Sequence, residues 1–173
     1  MNVRIANKND INEIMLIIND AKQYLKQQNS LQWNLNDGYP RKIDLLNDIE
    51  YGYCYVLVQD DMIIGTMSII CGIDENYLEI YDGKWLSNEP YASIHRIAIK
   101  NTHHHKSLGK FMLYEAEKII KEKKFYSIRI DTHKENYPMQ KTLEKSGYTL
   151  CGTIILKRTQ VDNVRIAYEK RLF

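Results

Sequence analysis

The sequence predicts a mixed α/β (α+β) fold, in which helices cover both faces of a central, mostly antiparallel sheet with one parallel strand pair. Apolar runs and amphipathic segments alternate in the order β-α-α-β-β-β-α-β-α-β-β. Two runs rich in β-branched and aromatic residues, 53–59 and 62–70, flank Asp60-Asp61 and predict an antiparallel hairpin. A strand–helix–strand unit over 92–132 predicts a crossover whose two strands lie parallel.

The elements before the hairpin follow from local patterns. Residues 2–6 alternate in polarity and predict a short strand. Asn9 or Asp10 can cap a helix whose apolar stripe consists of Ile11, Ile14, Met15, Ile18 and Leu25. A loop rich in turn residues follows, and a second helix is predicted over 42–50.

The elements after the hairpin complete the sheet around the crossover. Its helix is predicted over 106–123. A short helix over 136–146 ends at Gly147, a residue suited to the left-handed conformation that follows many helices. The predicted strands of this part are 92–99, 127–132, 149–156 and 164–172.

Length, charge and cysteine content restrict the class of protein. The 173 residues favour a single domain over 1–173, and a net charge of +2 without a basic arm gives no reason to expect a nucleic-acid partner. Cys54, Cys71 and Cys151 are widely spaced, without a Cys-x-x-Cys pair, and are interpreted as reduced thiols. The start has no signal-peptide pattern, and no apolar run reaches the roughly 18 residues that a membrane helix needs. We therefore expect a cytoplasmic protein without a membrane partner.

The stretch THHHKSLGKFML, residues 102–113, predicts a ligand site at a helix start. A helix that begins near Lys106 presents free backbone N–H groups and a positive dipole end. Ser107 and Gly109 are small, so a ligand could approach the backbone. Pyrophosphate fits this junction better than a metal, because adjacent histidines point in different directions and no further ligand cluster lies nearby. A solvated loop without any ligand remains the alternative.

The segment IHRIAIKNTHHHKSLGKFMLYEAEKII resembles the acetyl-CoA-binding motif of the GNAT N-acetyltransferase superfamily, a strand followed by Gln/Arg-x-x-Gly-x-Gly/Ala and a helix. His104 stands at the Gln/Arg position, Ser107 at the first glycine and Gly109 at the second. The segment RIDTHKENYPMQKTLEKSGYTLCG is similar to the next family block, and its matching residues are Asn136, Glu144, Lys145, Gly147 and Tyr148. The resemblance is specific over 91–156, and the order of the other elements agrees with it.

The resemblance implies that acetyl-CoA, as a co-substrate and without a metal, lies in a gap between strands 92–99 and 127–132. A primary amine then attacks the thioester directly in a ternary complex. Ser107 is compatible with cofactor binding if its backbone is helical. The implied cofactor contacts are Ile97, Ala98, Ile99, His104, His105, Lys106, Ser107, Leu108, Gly109, Lys110, Asn136 and Met139.

Two departures from the family pattern motivate an alternative function. Leu143 stands seven residues after Asn136, where many relatives carry a tyrosine that protonates the leaving thiolate, and Ser107 replaces a glycine. Tyr137 is nearby in sequence but occupies a different helix position. The alternative is a CoA-binding sensor or regulatory domain with little or no catalysis. A binding protein of similar topology without CoA is a further reading.

Asp131 is the leading candidate for the general base, and His133 and His95 are further candidates for proton transfer. Asp131 occupies the strand position where some relatives place a glutamate base, and alternation puts it on one strand face with His133. His133 is a candidate proton relay, and His95 could reach the acceptor pocket. For Asp131 the structural alternatives are an ion pair with Arg96 or Arg129, or a cap of the turn before Asn136. For the histidines they are a turn-stabilising His133 and a buried His95 bonded to backbone.

The resemblance assigns the acceptor site to the early helices and their loop, about 22–45. Trp33, Tyr39 and Trp85 are the substrate-binding candidates, because aromatic walls near carboxylates suit a cationic amine. The alternative is that these aromatics pack as small satellite cores. We expect a small amine or an amino-acid-like amine as the partner, and a homodimer through 164–172 is left open.

Overall fold

A computed structural model of the protein describes residues 1–33, 38–103 and 107–173. The strands are β1 (Asn2–Ile5), β2 (Cys54–Gln59), β3 (Met62–Cys71), β4 (Tyr91–Ile99), β5 (Ser127–Thr132), β6 (Thr149–Ile155) and β7 (Val164–Arg171). The helices are α1 (Ile11–Gln27), α2 (Lys42–Glu50), α3 (Leu108–Glu122) and α4 (Tyr137–Lys145). Within the described ranges, the strands form one sheet in the order β1-β2-β3-β4-β5-β7-β6, and β4–β5 is its parallel pair. The predicted fold class is confirmed.

The helix ends show which local signals decide the boundaries. Helix α2 has the predicted bounds. Helix α3 begins at Leu108, later than predicted, because Ser107 adopts a left-handed conformation with φ 55° and ψ 20° and so precedes the helix. Asn136 lies just before α4 and caps it, since its side chain accepts a hydrogen bond from the Met139 amide at 3.3 Å. Gly147 has a φ of 82°, as its predicted role requires.

The sheet separates two apolar cores. Side chains of α1 and α2 pack on one face, where Ile14, Ile18 and Leu45 are completely buried. Side chains of α3 and α4 pack on the other face, including Met112 and Leu143. Within the described residues, no helix combines the length and the apolar composition that a membrane crossing requires.

Strands β4 and β5 diverge soon after they meet. They pair only from Tyr91–Ser127 to Ser93–Arg129, although β4 continues to Ile99. The cause lies in β4, where two residues, 96 and 97, stand opposite Met67 of β3. Such a bulge bends its strand and increases the local twist. A gap therefore opens between the carboxyl ends of the two strands.

The bulge is held by a buried ion pair. Arg96 has a φ of 52°, a backbone angle that a residue other than glycine seldom adopts unless its surroundings stabilise it. Its guanidinium donates to both carboxylate oxygens of Asp48 in α2, at 2.7 and 2.8 Å, and to the Tyr39 hydroxyl at 2.6 Å. Ser68 donates to the same carboxylate at 2.5 Å. Removal of one member of such a buried pair typically costs about 3–5 kcal/mol, so α2 stabilises the bend in β4.

The loop between β3 and β4, residues 72–90, is fixed to the sheet through backbone contacts. Tyr81 and Thr153 of β6 exchange two backbone hydrogen bonds of 2.8 Å. Beside them, Gly83 approaches β6 so closely that a Cβ atom on it would lie 1.9 Å from the Cys151 carbonyl oxygen. Gly152 has the reciprocal problem, because its Cβ would lie 2.4 Å from the Tyr81 carbonyl oxygen. The two glycines therefore allow the loop and the strand to touch.

The Gly83→Ala substitution should destabilise the protein by about 3 kcal/mol, at the upper end for overpacking, because the obstacle is backbone. The free energy of unfolding in urea measures this. Gly52→Ala is the matched control. Gly52 has a φ of 70°, and a Cβ atom on it would meet no atom within 4 Å, so only its left-handed conformation is penalised, by about 1 kcal/mol. An equal loss in the two variants would contradict the close approach.

Candidate functional site

A cavity of about 1070 Å³ fills the gap between β4 and β5. Its walls come from the end of α1, the start of α3, the start of α4, the loop 72–90 and the segment between β6 and β7. The strands supply His95 to Ile99 on one side and 130–132 on the other. The volume is slightly above the usual range of about 300–1,000 Å³ for small-molecule sites.

The α3 side of the cavity contains the predicted cofactor contacts that the structure describes. Those that line it are Ile97, Ala98, Ile99, Ser107, Leu108, Gly109, Lys110, Asn136 and Met139. The predicted contacts His104, His105 and Lys106 lie outside the described residues. The amino-terminal end of α3 borders the cavity, and Lys110, Lys141 and Lys145 add positive charge. This side is therefore suited to phosphate groups.

Ser107 differs from its expected conformation. The predicted helix 106–123 includes Ser107, and a helical backbone is the condition under which serine is compatible with cofactor binding. The residue is instead left-handed, the conformation that glycine adopts most readily. Gly109 follows in α3, where a Cβ atom would lie 3.4 Å from the Thr142 methyl carbon. The chain thus keeps the backbone shape that glycine favours although serine stands there, and α3 and α4 approach closely at Gly109.

His95 lies on β4 directly before the bulge and lines the cavity. Its ring atom Nε2 is 2.8 Å from Oδ2 of Asp74, so its partner is a carboxylate rather than the backbone. Burial alone would raise the pKa of Asp74, but hydrogen bonds from His95 and Asn76 and the charge of His95 outweigh it and lower the pKa to about 2. Asp74 is therefore ionised at neutral pH, and it orients the imidazole.

Asp131 lies across the cavity from His95, near the end of β5. The Tyr77 hydroxyl donates a hydrogen bond of 2.7 Å to its Oδ1. Tyr77 is fully buried, and burial, together with the charges of Asp131 and Asp74, raises its pKa well above the usual value. The neutral phenol is thus a fixed donor to Asp131 at neutral pH.

The alternative in which Asp131 forms an ion pair with an arginine of β4 or β5 does not hold among the described contacts. Arg96 pairs with Asp48. Arg129 is buried, contacts Glu169 at 3.4 Å and donates to the Ser87 carbonyl at 2.8 Å. The carboxylate of Asp131 therefore remains directed to Tyr77 and the cavity.

The structure does not bring His133 to the other two proton-transfer candidates. His133 is buried and is not among the residues that line the cavity. Its Nε2 is 2.9 Å from Oδ1 of Asp162, and its Nδ1 accepts a hydrogen bond from the Glu135 amide at 3.2 Å. Both ring nitrogens are engaged in holding the end of β5, which is the turn-stabilising alternative.

Trp33 and Tyr39 line the cavity, whereas Trp85 does not. Trp85 packs in a separate apolar cluster with Tyr77 and Tyr91, and its indole donates to the Tyr77 carbonyl at 3.0 Å. Trp85 therefore belongs to a small satellite core rather than to the wall of the cavity. Trp85 reaches the site only through Tyr77, the residue that it positions.

The structure adds residues that the sequence did not single out. Gln32 accepts hydrogen bonds with one oxygen from Thr132, from the His133 amide and from Asn136, at 3.2, 3.3 and 2.8 Å. It ties the segment after α1 to the end of β5 and to the cap of α4. Asp74 and Tyr77 were not singled out either, although Asp74 contacts His95 and Tyr77 donates to Asp131. Asp74 also caps a short 3-10 turn, a local pattern that could have been found, but its contact with His95 could not.

Among the described residues, no group of three or more His, Cys, Asp or Glu side chains could hold a metal ion. Residues 104–106 of the histidine tract lie outside this statement.

The chain matches the model of the acetyltransferase (GNAT) family over residues 18–148. Among solved structures, it is similar to a GNAT-family acetyltransferase from Streptococcus agalactiae, with 38% identity, a TM-score of 0.89, and coverage of 98% of this chain and 94% of that chain. It also shares the fold of PaiA N-acetyltransferase from Thermoplasma acidophilum, solved in complex with coenzyme A, with 21% identity, a TM-score of 0.67 and coverage of 98% of both chains. No curated protein sequence matches the chain.

The family match covers most of the chain, and the fold and the cavity between the diverging strands agree with it. This protein belongs to the GNAT acetyltransferase family, in which acetyl transfer from acetyl-CoA is general.

Proposed function

We propose that this protein transfers the acetyl group of acetyl-CoA to a primary amine, which attacks the thioester directly in a ternary complex. The observation that carries the proposal is that one cavity joins a phosphate-suited helix start to a histidine–carboxylate pair. Acetyl-CoA would supply a thioester-activated acetyl group. Holding it beside the amine provides much of the rate enhancement, because two reactants then react as one assembly.

The cofactor side fits an extended molecule that ends in phosphates. Beyond Ser93 the edge of β4 is not paired with β5 and borders the cavity, so an extended pantetheine arm would add to the sheet there like a strand. The start of α3 and Lys110 would hold the pyrophosphate. Asn136 and Met139 of the α4 start would flank it on the opposite wall.

Two side chains can take the proton of the amine, and the geometry favours His95 over Asp131. Ionised Asp74 accepts from Nε2 of His95, so the neutral imidazole keeps its proton on Nε2 and presents Nδ1 as the basic nitrogen. Asp131 already accepts from Tyr77 and is placed to hold the incoming ammonium. We therefore assign His95 as the general base, Asp74 as its positioning residue and Asp131 as the amine contact.

The leaving thiolate requires a proton or a donor. Leu143 is completely buried and has no polar atom to offer, although family relatives place a tyrosine at this position. Tyr137, the first residue of α4, lines the cavity and its side chain is exposed. Its hydroxyl could therefore donate a proton to the thiolate. The proposal assigns this step to Tyr137 or to water.

The His95→Gln variant should lower kcat for an accepted amine by about a hundredfold or more, because glutamine can donate to Asp74 but cannot take a proton. The kcat that remains should depend less on pH than in the unaltered protein, because the general base is missing. Acetyl-CoA affinity, measured by calorimetry, should be unchanged. Steady-state thiol release over a pH series makes the measurement.

Two further variants make that result specific. Asp131→Asn should mainly raise the KM for the amine, and Glu122→Gln, an exposed carboxylate at the end of α3, should change nothing. Loss of kcat in Asp131→Asn with retention in His95→Gln would instead make Asp131 the base.

The Gly109→Glu variant should weaken acetyl-CoA binding by at least about tenfold, because it brings bulk and a negative charge to the phosphate end of the cavity. Calorimetric titration with acetyl-CoA and with CoA measures the change. Tyr114→Glu adds the same charge to an exposed position of α3 and is the control. Equal affinities of the two variants for acetyl-CoA would contradict the assignment of the pyrophosphate to this helix start.

Tight binding of acetyl-CoA without turnover of any amine in the unaltered protein would favour the CoA-sensor alternative.

A further inference from the structure

The acceptor end of the cavity carries charges of both signs. The acidic side chains on its wall are Asp74, Glu75 and Asp131, and the basic ones include Lys157, Arg158 and Arg165. A site for a polyamine would need carboxylates without these cations, since like charges on the wall repel a polycation. A site for a purely anionic acceptor would not need the carboxylate of Asp131 beside these basic side chains. The mixed lining fits a ligand with both charges.

Arg165 places a buried guanidinium at this end. It lies at the start of β7, just beyond the residues that pair with the end of β5, where Thr132 faces Ile166. Its side chain is about 3% exposed, and its Nη1 donates to the carbonyls of Asp162 and Val164 at 2.7 and 2.8 Å. Burial, together with the charge of Arg158, lowers the pKa of Arg165 by more than the charges of Asp131 and Asp162 raise it. An additional anion in the cavity would therefore be favourable here.

Arg158 supplies a second guanidinium on the same wall. Its Cζ lies 3.8 Å from the centroid of the Tyr39 ring, a stacking distance that fixes the guanidinium plane. The charge of Arg158 lowers the pKa of the Tyr39 hydroxyl and that of Asp131 raises it, so both charges are felt at this ring. A planar guanidinium matches a carboxylate with two parallel hydrogen bonds. Arg158, Arg165, Asp131 and Tyr39 all line this cavity, so groups of both charges face the same space.

We propose that the acceptor is an amine that also carries a carboxylate, an amino-acid-like zwitterion whose carboxylate binds Arg158 and Arg165 and whose ammonium binds Asp131. The inference rests on the proposed function and narrows its acceptor class. In this orientation the amine lies on the His95 side of the cavity and the carboxylate on the β6–β7 side. Deprotonation by His95 would then leave the free amine to attack while the carboxylate stays anchored.

The test compares matched acceptors that differ in the carboxylate alone. Free L-amino acids, their carboxamides and their decarboxylated amines are offered with saturating acetyl-CoA, and thiol release and product mass are measured. For an accepted amino acid, kcat/KM should exceed that of its carboxamide by at least about tenfold, the scale of a charge-assisted hydrogen bond. Calorimetry of the amino acid and the carboxamide against the CoA-saturated protein should show the same preference without turnover.

Protein variants connect the preference to the guanidinium. Arg158→Gln should raise the KM for the amino acid and reduce the preference for acid over carboxamide, while acetyl-CoA affinity is unchanged. Arg158 is exposed, so this variant should fold. Arg171→Gln, an exposed arginine at the other end of β7, is the matched control and should keep the full preference.

The outcomes separate this inference from the function on which it rests. Equal or better turnover of carboxamides or decarboxylated amines would overturn the zwitterion and leave the N-acetyltransferase function intact. Acetyl-CoA binding without turnover of any member of the panel would overturn the zwitterion and count against the enzyme. Failure to bind acetyl-CoA would overturn both.

Discussion

The site depends on the separation of β4 from β5 after Ser93. A regular parallel pair would engage the edge of β4 as far as β5 extends and would close the cavity. The bulge prevents this but requires a left-handed Arg96, and the bidentate ion pair with Asp48 offsets that strain. Helix α2 therefore shapes the site although Asp48 does not line the cavity. Tyr39 joins the same network and links the bend to the acceptor wall.

The loop 72–90 positions two titratable side chains of the cavity, because it carries the partners of His95 and Asp131. Asp74 orients His95, and Tyr77 donates to Asp131. The rings of Tyr77 and His95 also lie 5.9 Å apart, so one buried phenol contacts both sides of the cavity. A fixed donor or acceptor at each position means that little reorganisation is needed when charge develops. In the proposed mechanism, the side chains of β4 and β5 thus depend on a loop that has no regular strand or α-helix of its own.

Elements set by local pattern were predictable from the sequence, and contacts between distant residues were not. The order of strands and helices, the bounds of α2 and the left-handed Gly147 follow from periodicity and turn chemistry. His133 and Trp85 show the limit, because alternation along a strand does not reveal which residue a neighbouring loop will cover. The His95–Asp74 and Tyr77–Asp131 contacts join residues 21 and 54 positions apart, and only the folded sheet brings them together.

The contact between Gly83 and Gly152 has an evolutionary consequence. It anchors the second half of the loop 72–90 to β6 largely through backbone contacts, so the anchor depends little on the side chains around it. The first half, which carries Asp74 and Tyr77, can then exchange residues without losing its attachment to the sheet. Descendants of this chain could change the side chains near His95 by substitutions at a few loop positions. The two glycines would have to be retained, because they allow the backbone contact that attaches the loop to the sheet.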